Sequence, residues 1–291
     1  MSTQQEQVSS YALTTLQRVK DRLSIAISDN DAVLTRVING ATDLIERECG
    51  KSGMERFPND GHFVQKTYTN EVYSIHGTKQ VYLVLRNAPV TYLIVTGSLT
   101  LGSAVVTGVT PSVGIVPNMP LYAIQGLFPS GTTVLSVSGS TVTMSQPAQV
   151  TQTGAIFEIS GLISFQWRAG TPDNPSWTSF FAPQYELESQ GYSGIVRVYG
   201  PMPRIYSNML RATYVAGFPV DWQNAGNGST HQLPADLTNL CEDLVERIFR
   251  RQGLAGKSSE SLQGATTAWR NEFDAIDLRT IENYRRVGMT F

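Results

Sequence analysis

The chain has 291 residues, 41% of them hydrophobic, with 25 glycines, a formal net charge of −2 and a pI near 6.0. That is enough apolar side chain to bury real cores, and the weakly acidic balance excludes a general binder of nucleic acid or acidic membrane, which would carry a net basic surface. Only 16% of residues are charged, and the deficit is local: the 81 residues 87–167 hold one charge, Glu158, whereas the other 210 hold 45.

Gly, Pro, Ser and Thr interrupt this uncharged stretch every few residues, so it offers no run of about 20 apolar residues to span a bilayer. The opening MSTQQEQVSS has neither a basic n-region nor an apolar h-region, and no secretory signal is expected. Cys49 and Cys241 lie 192 positions apart. They give no disulfide framework, and a reducing compartment is expected.

From Thr15 to Gly50 the apolar spacing is helical in two pieces. Leu16, Val19, Leu23 and Ile27 form one stripe, Ser28-Asp29-Asn30-Asp31 supplies a break with cap chemistry, and Leu34, Val37, Ile38, Ala41, Leu44, Ile45 and Cys49 form a second stripe. Gly50 stands where a C′ glycine ends a helix, and the pair predicts an antiparallel hairpin. Strand-type residues follow at 63–68 and 81–85, closed by Asn87-Ala88-Pro89. Within the uncharged stretch, residues 132–144 predict a β-hairpin turning at Ser138-Gly139. Further strands are predicted at 155–159, 163–167, 194–199 and 211–216. A polar loop at 221–231 then leads into a helix opening on Leu233-Pro234-Ala235-Asp236, with stripe Leu237, Leu240, Cys241, Leu244 and Ile248 ending near Gly253. The polar tail carries one more helix around residues 277–286.

Neither terminal helical region can bury its stripe alone, so the two must meet. The expected fold class is α+β. Residues 1–95 and 161–291 form one discontinuous domain with a C-terminal tail at 254–291, and residues 96–160 form an inserted β-rich domain.

Motifs that carry chemistry are missing. There is no H-E-x-x-H, Cys-x-x-Cys, Walker loop, Gly-x-Ser-x-Gly or dinucleotide fingerprint, so neither enzymatic activity nor a cofactor or metal is expected. His62, His76 and His231 fall in predicted loops and are expected on the surface. Asp29 and Asp31 lack the glycine and glutamate of a calcium loop and read as caps. Glu46 and Glu48, flanking Arg47, read as a solvated helix face. Arg247, Arg250, Arg251 and Lys257 form a basic cluster that complements a helix C-terminus, or alternatively contacts DNA or an acidic partner. Trp167, Trp177, Phe180, Phe181 and Tyr185 read as a hydrophobic layer or subunit contact, with a carbohydrate platform as the alternative.

Two stretches carry a resemblance. Leu16-x-x-Val19-Lys20-x-x-Leu23, then Asp29-Asn30-Asp31-Ala32-x-Leu34-x-x-x-Ile38-x-x-Ala41-x-x-x-Ile45-Glu46-x-x-x-Gly50, resembles the opening of the tailed-phage head-tail connector (adaptor) proteins. Leu85-Arg86-Asn87-Ala88-Pro89-Val90, Tyr214-Val215-Ala216-Gly217-Phe218, Leu233-Pro234-Ala235-Asp236-Leu237 and the closing Arg250-Arg251 continue it. The tail segments 258–264 and Asn283-Tyr284-Arg285-Arg286 also look like that family. Residues 108–159 instead resemble a small β-module found in phage structural proteins.

The resemblance implies a helical-bundle adaptor in the virion neck, made in the host cytoplasm. It implies a homo-oligomeric ring, usually of twelve copies, between the portal and the tail proteins, with double-stranded DNA passing through its lumen and no membrane involved. The apolar-poor tail is expected to order on a partner. Its portal anchors are expected to be Trp269, Phe273, Ile276, Leu278, Ile281 and Tyr284, with Arg285 and Arg286 beside them. The inserted module reads as a structural brace, with a glycan-recognising or virion-decorating module as the alternative.

Overall fold

The computed structural model describes residues 7–51, 61–74, 82–123, 126–171, 174–180, 184–199, 209–220, 233–251, 259–262, 265–268 and 273–285. The chain is α+β and divides into two compact units, residues 1–64 with 232–291 and residues 65–231.

The first unit is built on four helices: α1 (Leu16–Leu23), α2 (Asp31–Glu48), α3 (Ala235–Arg251) and α4 (Ala275–Tyr284). Thr15 caps α1 by accepting from the Arg18 N–H, and Ser24 closes it in the left-handed region. The break expected at 28–31 is present, and Gly50 follows α2 with φ +76°. Leu34, Val37, Ile38, Ala41 and Ile45 of α2 are buried, as are Leu237, Leu240, Cys241, Leu244 and Val245 of α3. α2 packs on α3, α1 packs on both, and α4 packs on α3. The stripes at the two ends of the chain thus cover each other, each fully buried Leu, Ile or Val contributing about 1.5–3 kcal/mol. Pro234 lies just before α3, where its missing N–H costs nothing. A two-stranded ribbon, Ser259–Leu262 with Ala265–Ala268, also belongs to this unit.

Among its described residues the second unit is built on β-strands, with one 3-10 turn at Glu188–Gly191. The strands used below are β1 (Lys66–Ser74), β2 (Tyr82–Val84), β3 (Tyr92–Leu99), β4 (Val105–Thr110), β5 (Leu121–Tyr122), β6 (Val134–Ser138), β7 (Thr141–Met144), β8 (Gln152–Ser160), β9 (Leu162–Thr171), β10 (Asn174–Ser179), β11 (Tyr185–Leu187), β12 (Ile195–Val198) and β13 (Met209–Ala216). Six strands pair in the order β5-β8-β3-β4-β7-β6, four as β1-β13-β9-β10 and three as β11-β12-β2. The hairpin predicted at 132–144 is β6–β7, with Ser138 opposite Thr141 and Gly139 at φ +57° in the turn.

The six-stranded sheet has its own core, including Val95, Val106, Met119, Val134, Val142, Phe157 and Ile159. Buried and exposed residues alternate along β3, as a sheet with one packed face requires. A second core, around Tyr68, Leu85, Phe165, Val196, Leu210 and Tyr214, lies among the remaining strands. Val215 packs in the first core while Tyr214 and Ala216 pack in the second, so β13 serves both.

The division of the chain therefore falls at 64/65 and 231/232, whereas the composition shift pointed to 95/96 and 160/161. Charge content follows side-chain type. Compactness follows pairing, and β13 pairs with β1 and β9 and feeds Val215 into the module's core.

Candidate interaction surfaces

In the first unit, position 46 continues the inner stripe of α2 after Ile38 and Ile45, and Glu46 is fully buried. Its Oε1 accepts from the Phe63 N–H (2.9 Å) and its Oε2 lies 2.9 Å from Nδ1 of His62. Tyr11 stacks on the His62 ring, centroids 4.0 Å apart. Both residues correct the sequence reading, which placed Glu46 on a solvated face and His62 on the surface. A buried carboxylate persists because donors from the following loop satisfy it, a pairing that helix periodicity does not reveal. Glu48 does face solvent beside Arg47. His76 and His231 lie outside the described residues.

A second polar network joins α1 to α3. Thr14 Oγ1 and Arg18 Nε donate to Glu242 at 2.8 and 2.7 Å, and Arg22 bridges Asp243 and Glu246. The Arg22 hydrogen bond holds the Glu246 carboxyl below its ordinary range, while burial holds Asp243 above it.

The basic cluster at the end of α3 is engaged inside the same unit: Arg250 Nε meets Glu246 at 2.9 Å and Arg247 meets Asp277 at 2.6 Å. Arg251 is half-buried, and Lys257 lies outside the described residues.

α4 begins on a capping box formed by Asp274 and Asp277. Ile281 is 1% exposed, and its carbonyl accepts from the Cys49 thiol at 3.7 Å. Tyr284 meets Phe63 edge-on and donates to the Asp236 carboxylate at 2.8 Å. Ile281 and Tyr284, expected as anchors for a partner, thus have their side chains against their own unit, because alternate faces of one helix cannot all point outward. Ile276 (77% exposed) and Leu278 (48%) do face solvent. Phe273 is half-buried and Arg285 exposed, while Trp269 and Arg286 fall outside the described residues.

In the second unit the predicted aromatic group is a packed layer. Phe165 stacks on Phe180 at 4.7 Å, Trp167 meets Phe180 and Tyr185 meets Phe165 edge-on, and Arg211 lies 4.4 Å above the Trp177 ring. Phe181 is outside the described residues.

Sequence reasoning missed a buried carboxylate here. Glu71 accepts hydrogen bonds from Tyr214 Oη (2.6 Å) and Tyr73 Oη, and the N–H groups of Arg86 and Asn87 donate to those two hydroxyls at 3.1 Å. Burial pushes both phenols upward, keeping them as donors. The available signal was a lone Glu two residues before an inward Tyr, which reads equally well as an outward position.

Among the described residues no three His, Cys, Asp or Glu side chains group to hold a metal ion, and no helix is long and apolar enough to cross a membrane. Residues 13–83 match the phage gp6-like head-tail connector protein family. No curated protein matches the chain.

The connector match takes in α1, α2, the Glu46–His62 pair and β1, and ends within β2. It lies within the first of the two stretches, about 12–95 and 190–286, in which the resemblance was read, and does not reach residues 85–90. Within the connector-like region, the buried polar residues Thr14, Thr35, Thr42 and Glu46 sit among the apolar stripes, and these the apolar pattern could not single out.

Proposed function

We propose that the protein is a phage structural connector that assembles as a homo-oligomeric ring between the capsid portal and the tail, without catalytic activity. The observation that carries this reading is the head-tail connector match over residues 13–83. Packing of α3 and α4 with α1 and α2 supports it, because the connector-like hairpin and the chain's C-terminal helices then form one unit.

In this reading the ring holds twelve copies, as is usual in the family, and encloses the channel through which the genome passes during ejection. It belongs to the virion neck and is made in the host cytoplasm. Ring closure requires a heterologous, head-to-tail contact between copies. Portal docking uses α4, with the exposed Ile276 and Leu278 as apolar anchors and Phe273 and Arg285 at the ends of the segment; Trp269 and Arg286, also expected as contacts, lie outside the described residues. A few well-packed, desolvated side chains carry most of the energy of such an interface.

The test is co-sedimentation of the full chain with portal rings, followed by negative-stain imaging. The expected result is an added ring layer in the wild type and loss of the layer in the double variant Ile276→Ser/Leu278→Ser. A wild-type chain that never associates with portal rings would overturn the reading.

A further inference from the structure

Arg18, Arg22, Arg247 and Arg250 of the helical unit each rest on a carboxylate. The four-stranded sheet of the second unit is different. Its strands β9, β10 and β13 carry two arginines, Arg168 and Arg211, and no Asp or Glu. Glu71 of β1 lies opposite Ala212 in the inward row, fully buried and bound by Tyr73 and Tyr214. The chain segments that adjoin these strands in sequence, 75–81, 172–173, 181–183 and 200–208, hold one acid, Asp173, against Lys79 and Arg204.

Both arginines belong to the outward face. Val72, Arg211, Gln166 and Ser179 form one cross-strand row, and Arg168, two residues along β9 from Gln166, stands opposite Trp177. Val72 and Ser179 are exposed and Arg168, Arg211, Gln166 and Trp177 half-buried, so solvent reaches the row. Arg211 is held in a fixed pose. Its Nε and Nη2 both donate to Gln166 Oε1, at 2.8 and 2.5 Å, and its guanidinium lies 4.4 Å from the Trp177 ring centre. That leaves Nη1 and one Nη2 proton, the edge of the fork that takes a carboxylate through two parallel hydrogen bonds. Arg168 Nη1 lies 3.6 Å from the Met209 sulfur, a weak acceptor.

Burial pulls the Arg211 guanidinium below its ordinary value, and no carboxylate acts against that pull. Arg168, diagonal to it, adds like-charge repulsion. An anion from outside offsets both costs. Diagonal side chains across an antiparallel pair stand about 7–8 Å apart, close to the roughly 7 Å between alternate side chains of an extended chain. Two cations neutralise only two phosphates, worth about −1.8 on the salt slope, and the flanks are apolar: Val72, Met209 and the Trp177 ring. Polypeptide therefore fits this face better than nucleic acid.

We propose that the outward face of β13, β9 and β10 docks an extended, acidic segment of a partner polypeptide, its carboxylates at alternate positions on Arg211 and Arg168. Gln166 and Trp177 hold the Arg211 fork in place before the partner arrives, which lowers the ordering cost of binding. The charged groups lie outside residues 13–83 and outside the helical unit, so the assignment stands apart from the connector reading.

The experiment measures anisotropy of a fluorescein-labelled Glu-Val-Glu-Val-Glu peptide with the full chain at low salt. A labelled Lys-Val-Lys-Val-Lys peptide and a labelled short DNA duplex are the alternative probes. Saturable binding of the acidic peptide alone is expected. Arg168→Gln/Arg211→Gln should weaken it at least tenfold, whereas Arg279→Gln on α4 and Asp173→Asn should leave it unchanged. Arg168→Glu puts a carboxylate diagonal to Arg211; it should abolish peptide binding and raise the thermal midpoint, the reverse of what a merely structural Arg168 would give. The proposal is overturned by no binding to the wild type, by equal binding to the Arg168→Gln/Arg211→Gln variant, or by a lowered midpoint in Arg168→Glu. Tighter duplex binding that the same double variant loses would assign the face to nucleic acid instead. At least tenfold tighter peptide binding in Asp173→Asn would show the chain's own carboxylate filling the face, and would equally overturn it.

Discussion

Glu46 is the residue whose removal should be felt most in the helical unit. Glu46→Ala leaves the Phe63 N–H and the His62 ring nitrogen facing the interior without their acceptor, at about 1–3 kcal/mol for each group left unpaired. Glu46→Gln keeps one carbonyl acceptor and should cost less. Urea denaturation of the two variants would order them, and an alanine variant as stable as wild type would show that the pair contributes nothing net.

The thiols give a second residue-level prediction. Burial pushes Cys49 and Cys241 up to about 12 from an ordinary 9.0, so both stay protonated and slow toward thiol reagents in the native state. A folded value raised above the unfolded one stabilises fully below pH 9 and loses that contribution as pH rises toward 12. Glu246 acts in the opposite sense. Its lowered value stabilises above the ordinary 4.5 and is lost as pH falls through the folded value, though solvent screening keeps this effect small. Native labelling of both thiols should therefore be slow at pH 8 and rapid in denaturant, with unfolding midpoints falling above pH 9.

At the scale of elements, α4 and the junction between β8 and β9 are the sensitive places. Ile281→Ala should cost about 2–5 kcal/mol, and it should release α4 first, because this helix is held by Ile281, the Arg247–Asp277 pair and Tyr284. Hydrogen exchange would show α4 amides losing protection ahead of α2 and α3. Gly161, between β8 and β9, allows no side chain. A Cβ there would lie 2.7 Å from the Val215 carbonyl oxygen and 2.8 Å from that of Thr91. Gly161 itself donates to Thr91 and accepts from Val215, so backbone would have to move. Gly161→Ala should destabilise by about 1–3 kcal/mol, read as a lowered denaturation midpoint.

Helix existence, the break at 28–31, the β6–β7 hairpin and the helix after Pro234 were legible in the sequence, since each rests on local spacing or turn chemistry. What was not legible depends on distant partners. Nothing near Glu46 announces that Phe63 and His62 will satisfy it. Nothing near Ile281 distinguishes an inward face of α4 from an outward one.

For the whole molecule, the proposed connector role turns on what 22 cationic and 24 anionic side chains would present to a passing duplex. Affinity for DNA rises with the number of phosphates that Lys and Arg neutralise, each contributing about −0.9 to the salt slope. Here Arg18, Arg22, Arg247 and Arg250, which a sequence count would offer to phosphate, each rest on a carboxylate of the same unit. Transfer to phosphate would strip Glu242, Asp243, Asp277 and Glu246 of their partners, so these guanidinium groups are costly to recruit. On the proposed connector reading this arrangement serves a DNA passage, because a duplex held by few phosphate contacts slides. A fluorescent duplex of about 30 base pairs should therefore show no saturable binding at protein concentrations up to about 10 μM in physiological salt, near the middle of the usual non-specific range. If a steep salt slope and sub-micromolar affinity were found, the internal ion pairs would not be holding these arginines, and any ring built from the chain would grip its DNA.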